Sequence, residues 1–226
     1  MKKNFIAIIL ARGGSKGIKM KNLTKINGKP LIYWSIKSCL NSKKIHSTWV
    51  SSDNIRILNY SKKIGAKIIL RPKKYAKDNT SSEKSWLHAV NFLKDKINFE
   101  NIVGLQPTSP KRDYDDLDNA IKIYKKDNLD SLFSSTEILD RFVWKKKGSK
   151  LIPNYNYLKR PRRQDLPTTY LENGSFYIFN KNKFLKVKNR LFGKIGVYQM
   201  KKTNSFQIDD KIDINILNLL FKDKSK

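Results

Sequence analysis

The chain has 226 residues, 39% of them hydrophobic, with 48 basic against 19 acidic residues, a formal net charge of +29 and one cysteine. A chain this long can bury most of its apolar surface without disulfide staples, and the lone Cys39 excludes an internal disulfide framework, which makes the cytoplasm the expected compartment. The apolar run over residues 5–11 is too short for a secretion-signal core with its cleavage site and far too short to span a bilayer.

In chain order, Phe5–Leu10 reads as a buried strand and residues 30–40 as an amphipathic helix. Residues 48–52 form a short strand ending at Asp53, residues 55–64 a helix and Lys67–Leu70 a strand. Ser81 or Ser82 caps a helix running to about Lys96. Residues 102–106 are a strand stopped by Pro107, residues 114–126 a helix and residues 131–135 a strand. This alternation predicts a Rossmann-like, doubly wound α/β fold with a mostly parallel sheet and helices on both faces. Ligands of such sheets bind where the carboxyl ends of the strands run into loops.

Between about residues 136 and 165 the periodicity lapses into a stretch rich in Lys, Arg, Pro and Asn. Phe142, Val143, Trp144, Tyr155 and Tyr157 give it more apolar content than a solvated linker needs. It is expected to be a small dimerisation appendage inside a single domain spanning 1–226, with an unstructured insert as the alternative. Strands resume at residues 175–179 and 196–200, and residues 212–221 close as a helix.

Five segments carry candidate chemistry. The first, Leu-Ala-Arg-Gly-Gly-Ser-Lys-Gly at 10–17 followed by Lys21 and Asn22, comes straight after the first strand. Its glycines allow backbone N–H groups to close on an anion. Arg12 can grip phosphate bidentately, while Lys16 and Lys21 act as point charges. The spacing is neither the Walker A nor the dinucleotide pattern. So much positive charge at a strand end suits a triphosphate, which must be neutralised before an oxygen nucleophile approaches; a surface turn with solvated lysines is the alternative. The second segment, Leu70-Arg71-Pro72 with Ala76, Asp78, Asn79, Thr80, Ser81 and Ser82, reads alone as a strand end, a loop and a helix cap.

The third segment, Leu-Gln-Pro-Thr-Ser-Pro at 105–110 with Arg112 after it, makes a rigid loop carrying an amide and two hydroxyls. Oriented hydrogen-bond partners of this kind suit a polyhydroxylated sugar. The fourth combines Arg-Arg-Gln-Asp-Leu-Pro at 162–167 with Glu-Asn-Gly-Ser-Phe-Tyr-Ile at 172–178. The fifth is Gln-Ile-Asp-Asp-Lys-Ile-Asp at 207–213. Carboxylates there could hold Mg²⁺, or they could cap the closing helix.

In this order the five segments resemble the signatures of the acylneuraminate cytidylyltransferases, the CMP-sialic acid synthetases, over nearly the whole chain. The resemblance implies transfer of CMP from CTP to a sialic-type nonulosonic acid, with release of pyrophosphate, for cell-surface glycan synthesis. It also implies a divalent cation, Mg²⁺, and a homodimer. It places Arg12, Gly13, Gly14, Ser15, Lys16 and Lys21 at the phosphates, Asn22 by the ribose, and Arg71 and Ser82 on the cytosine with the Thr80 backbone nearby. Gln106 and Thr108 would face the sugar acid. Arg163, Gln164 and Asn173 match positions at which the family brings a basic residue of the appendage across the dimer. Tyr177 and Phe192 match apolar positions lining the acylamino pocket, with core packing as the rival reading. The family's D-x-D-x-x-x-D is altered, because Gln207 replaces the first acid and Lys211 sits inside it. Asp209 is therefore the expected metal ligand, and Asp213 the expected helix cap.

The high positive charge raises a competing class, a non-catalytic nucleic-acid-binding protein. The lysines, however, spread along the whole chain, only nine of the 48 basic residues are arginine, and the aromatics sit in apolar segments. The expectation is therefore no nucleic-acid and no membrane partner, with the positive field gathering anionic substrates. A cytidylyltransferase for the eight-carbon acid Kdo is the nearer alternative, against which the 163–164 and 173–174 segments argue. His46 and His88 stand apart without zinc spacing, and no Gly-x-Ser-x-Gly nucleophile motif occurs.

Overall fold

Alternate residues of the first strand, β1 (Phe5–Leu10), are buried on opposite sides of a sheet, and each side is covered by helices. The computed structural model describes residues 4–15, 17–138 and 142–222, with Arg163 described by its backbone. After β1 come a small hairpin, β2 (Lys25–Ile26) and β3 (Lys29–Pro30), then α1 (Leu31–Asn41), β4 (Ile45–Ser52), α2 (Ile55–Lys63) and β5 (Lys67–Leu70). Next are α3 (Ser82–Leu93), β6 (Asn101–Leu105), α4 (Asp116–Lys126) and β7 (Ser131–Glu137). The chain ends with β8 (Trp144–Lys147), β9 (Lys150–Pro153), β10 (Tyr170–Asn180), α5 (Lys181–Val187), β11 (Ile195–Gln199) and α6 (Lys211–Lys222).

Seven strands form one sheet in the order β11-β7-β10-β6-β1-β4-β5. All neighbouring pairs are parallel except those of β10, which runs antiparallel to both β6 and β7. Phe5, Ala7 and Ile9 face Ile32 and Ile36 of α1, Ile57 of α2 and Ile121 of α4. Ile6 and Ile8 face Trp86, Ala89, Val90 and Leu93 of α3 and Phe184 of α5. The layered, doubly wound architecture expected from the sequence is thus present. Burial on this scale dominates stability, each fully buried large side chain contributing about 1.5–3 kcal/mol.

Local signals fix the helix starts. The Asn54 side chain accepts from the backbone N–H groups of Arg56 and Ile57, and Ser81 Oγ accepts from that of Lys84. At α6, Asp210 Oδ1 accepts from the Ile212 and Asp213 N–H groups while Asp213 Oδ2 accepts from those of Asp209 and Asp210. This reciprocal box satisfies the helix's first donors, so Asp213 caps, as expected.

Three features depart from the sequence reading. The irregular stretch contains a separate two-stranded hairpin, β8 and β9. All four residues of β8, Trp-Lys-Lys-Lys, are exposed, so no alternation could mark it. The strand expected at 175–179 begins at Tyr170 and is inserted antiparallel between β6 and β7. Its pairing with β7 is interrupted between Glu172 and Tyr177, where Gly174 takes φ +65°. The seven-residue α5, capped by Asn180, is too short to display a period. No helix among the described residues is long and apolar enough to cross a membrane.

Candidate active site

The carboxyl ends of β1, β5 and β6 open on one cavity of about 340 Å³. Its wall includes Arg12, Gly14, Ser15, Lys21 and Asn22 from the first loop, Arg71, Tyr75, Asp78, Thr80 and Ser82 from the second, Gln106 and Thr108 from the third, and Asp209. The first, second, third and fifth sequence segments, scattered from Arg12 to Asp209, thus meet at one place. Lys16 lies outside the described residues.

Cations and acids alternate around the cavity. Arg12 Nη1 lies 2.6 Å from Asp78 Oδ1. Lys21, largely buried, donates to the Ile208 carbonyl at 2.7 Å and lies 3.4 Å from Asp209 Oδ1. The Asn22 side chain is buried and donates to the Arg12 carbonyl, holding the loop in shape. Arg71 differs from the other cations. It is 4% exposed, and its Nε and Nη2 have no hydrogen-bond partner among the described residues. Burial, opposed by the Asp53 carboxylate and reinforced by Arg12, pushes its guanidinium down to about 10, so it stays charged at neutral pH. A buried cation with spare donors is costly unless an anion or a carbonyl oxygen meets it.

The glycine-rich loop is held differently from the expected nest. The Gly13 N–H donates to Asp53 Oδ1 at 2.9 Å, so it is taken by the protein's own carboxylate and not turned to a bound phosphate. A Cβ on Gly13 would come within 2.8 Å of Asn54, so the residue is a packing contact behind the loop. Gly17 has a similar duty toward the fifth segment, since a Cβ there would sit 2.6 Å from the Asp209 carbonyl oxygen. With Ile208 N–H donating to Thr108 O and Lys21 gripping Ile208 O, this contact docks Asp209 at the mouth of the cavity.

Gln106 Nε2 donates to Ser82 Oγ at 3.0 Å, joining a residue expected at the sugar to one expected at the base. Thr80 spends its hydroxyl on the Lys74 carbonyl and its N–H on that of Lys77. The cytidylyltransferase family model matches residues 6–222. The chain belongs to that family.

Curated cytidylyltransferase relatives agree. N-acylneuraminate cytidylyltransferase A of Danio rerio is 36% identical over 217 residues, covering 93% of this chain and 49% of the relative. An N-acylneuraminate cytidylyltransferase of Escherichia coli is 30% identical over 239 residues, covering 100% and 54%. The chain thus spans about half the length of these two proteins. Post-translational flagellin modification protein B of Campylobacter coli is 28% identical, with 97% and 96% covered. Among solved structures, CMP:2-keto-3-deoxy-manno-octonic acid synthetase complexed with CTP superposes at a TM-score of 0.72, with 16% identity, 97% of this chain covered and 99% of that one. A 4-diphosphocytidyl-2C-methyl-D-erythritol synthase from Anaerococcus prevotii gives 0.70 at 14% identity, with 97% and 96% covered. At such identities these two similarities establish the shared fold.

Four residues expected at the sugar of this cytidylyltransferase-family chain, Asn173, Tyr177, Phe192 and Gln164, do not line the cavity of their own chain. Asn173 is 1% exposed and saturated. Its Oδ1 accepts from Ser134 Oγ and Ser175 N–H, and its Nδ2 donates to Ser205 Oγ and Met200 Sδ. It serves as a buried bolt between β10, β7 and the 200–207 segment. Tyr177 packs edge-on against Trp86 in the core, with its hydroxyl donating to Glu172, and burial pushes that hydroxyl's pKa upward. Phe192 is buried beside Ser131, the first residue of β7, at the opposite end of the sheet from the cavity. For both aromatics core packing is the outcome. Gln164 is exposed in a short 3-10 turn, Arg163–Asp165, away from the cavity wall. Arg163 shares that turn, and its side chain lies outside the described residues.

Asn173→Ala would strand several buried donors and acceptors at once, each costing about 1–3 kcal/mol. A loss of at least about 2 kcal/mol in urea unfolding is expected; an unchanged midpoint would show the bolt to be dispensable.

Residues not singled out from the sequence also take part. Tyr75 lines the cavity, and Asp53 holds the Gly13 N–H. Asp53 could have been found from its place, because it follows β4, the parallel neighbour of β1, at the same end of the sheet. His88 stacks on Tyr75 behind the wall. Burial, then Arg71 and Lys74, push its pKa down, which favours the neutral imidazole.

The described residues hold no cluster of three or more His, Cys, Asp or Glu suited to a metal. Asp209 offers one carboxylate, 80% exposed, while Gln207 spends its Nε2 on the Asn173 carbonyl. A single carboxylate fits Mg²⁺, which keeps several waters and shares substrate phosphates.

Proposed function

We propose that this chain transfers CMP from CTP to the anomeric hydroxyl of a sialic-type nonulosonic acid, releasing pyrophosphate, in the cytoplasm. The observation that carries this reading is the buried, incompletely partnered Arg71 set in the same cavity wall as Arg12, Lys21 and the Gln106–Thr108 loop. The curated relatives' names support the choice of acceptor. Arg71 and Ser82 would read the cytosine, and Arg12 and Lys21 the phosphates. To do so Arg12 must exchange Asp78 for a phosphate oxygen.

The acceptor oxygen forms a bond to the α-phosphorus, the bond from that phosphorus to the bridging oxygen of the β-phosphate breaks, and the hydroxyl proton leaves with solvent. Holding both reactants in line, with cations fixed around the developing charge, is what this cavity supplies. Mg²⁺, held by Asp209 together with substrate phosphates, would add charge neutralisation at the leaving group.

The test is pyrophosphate release from CTP and Mg²⁺ with N-acetylneuraminic, legionaminic or pseudaminic acid, and with Kdo in parallel. Release with a nonulosonic acid is expected. Folded protein that releases none with any of the three refutes the reading, and turnover of Kdo alone moves it to the eight-carbon acids. Asp209→Asn should raise the Mg²⁺ concentration for half-maximal rate about tenfold or more, the range seen when even outer-shell partners of a metal are removed; an identical metal titration would reduce Asp209 to a loop residue.

We also propose that 1–226 acts as one catalytic domain whose segment at about 136–165 mediates homodimerisation. Val143, Trp144, Leu151, Ile152 and Leu158 are exposed there, an apolar content that supports a protein-covered surface. Sedimentation equilibrium showing only monomers at micromolar protein would rule this out.

A further inference from the structure

At the carboxyl end of the sheet the ladder between β6 and β10 stops at the pair Leu105 and Phe176. The next carbonyls on the two strands, those of Gln106 and Ser175, therefore have no strand partner across the gap. Arg112 Nη2 donates to Ser175 O at 2.7 Å and makes a long contact of 3.5 Å to Gln106 O. Its Nη1 donates to Ser35 Oγ of α1 at 3.2 Å. One guanidinium thus ties together two strands of opposite direction and a helix, at the point where β6 runs into the Gln106–Thr108 loop of the cavity wall. Burial lowers the pKa of the Arg112 guanidinium, opposed by Cys39 and then by the Asp116 carboxylate.

We infer that Arg112 is a positioning residue that clamps the open end of the β6–β10 ladder and so fixes Gln106, whose amide reaches Ser82 across the cavity. This rests on the proposed cytidylyl transfer for its kinetic readout. A planar guanidinium with several donors in fixed directions can serve two carbonyls and a hydroxyl at once, whereas an ammonium is a compact point charge on a flexible stem. The nucleotide-side cations Arg12 and Arg71 lie on the loops after β1 and β5, whereas among the described residues Arg112 bonds to Ser35, Gln106 and Ser175. Loosening the clamp should therefore act first on the acceptor.

Arg112→Lys keeps the charge and removes the fork. It is expected to raise KM for the acceptor acid about tenfold, while the Kd for CTP measured by calorimetry stays within about twofold. Amide hydrogen exchange should accelerate in peptides spanning 105–110 and 171–177, and not in β1 or β4. Equal factors on the acceptor and on CTP overturn the inference, because they mean a general loss of stability. A wild-type exchange pattern overturns it as well. A wild-type protein that releases no pyrophosphate would instead sink the functional reading, and the exchange comparison would still decide whether the clamp exists.

Discussion

Arg71→Met is expected to weaken CTP binding roughly tenfold to a hundredfold while making the ligand-free protein more stable. The binding loss follows from removing a charge-assisted contact worth about 1.5–3 kcal/mol. The stability gain follows from the same burial. Arg71 is 4% exposed with two nitrogens unpartnered among the described residues, and its guanidinium is pushed down to about 10. Removing an ill-compensated buried charge in favour of a similar-sized apolar side chain is often neutral or stabilising. A rise of about 2–4 °C in the unfolding midpoint, the shift that 1 kcal/mol gives in a chain of this size, is expected without nucleotide. Calorimetric titration with CTP and a thermal melt of the same sample check both halves. A variant that binds CTP like wild type, or that melts several degrees lower, would show that Arg71 is satisfied by the protein itself.

Gly17→Ala should cost about a hundredfold in kcat/KM with little effect on the core. The new Cβ would lie 2.6 Å from the Asp209 carbonyl oxygen. The clashing atom is backbone, so it cannot be relieved by turning a flexible side chain. Either the first loop or the Asp209 segment must move by more than half an ångström. Displacements of about 1 Å at a catalytic constellation can cost 10²-fold. The Lys21–Ile208 and Ile208–Thr108 bonds would resist that movement, so the strain concentrates where metal and phosphate would meet. Steady-state kinetics across a Mg²⁺ titration, with near-ultraviolet circular dichroism to verify the core, is the measurement. Wild-type kinetics in this variant would mean that the two loops are not coupled through that contact.

The layering was legible because β1, β5 and β6 carry apolar runs and α3 has a visible cap at Ser81. The place of the cavity was legible too, since glycines, arginine and lysine crowd after a buried strand. What escaped depends on pairing across distance. Nothing local in residues 170–180 says that the strand runs antiparallel between two others. Asn173 reads as a sugar-site position until β7 and the 200–207 segment close around it, and Phe192 reads equally as pocket lining or core until Ser131 places it at the far end of the sheet. Glycines in the first loop read as phosphate contacts, yet Gly13 and Gly17 are glycines for the sake of Asn54 and Asp209. A close approach between protein segments demands the same residue as a close approach to an anion, and one sequence does not separate the two.

The place of β10 also bears on how the protein is made. β6 and β7 are synthesised well before the strand that joins them, because residues 138–169 must be translated between β7 and β10. Until residue 180 clears the ribosome, a nascent chain holding β1, β4, β5 and β6 carries an apolar strand, Asn-Ile-Val-Gly-Leu, whose hydrogen-bonding side on one flank is bare. Such a flank pairs readily with a second unfinished copy. Slow translation across 138–169 would therefore lengthen the interval in which polysomes can cross-link through β6, and the yield of this protein should respond to codon speed in that stretch more than in any other.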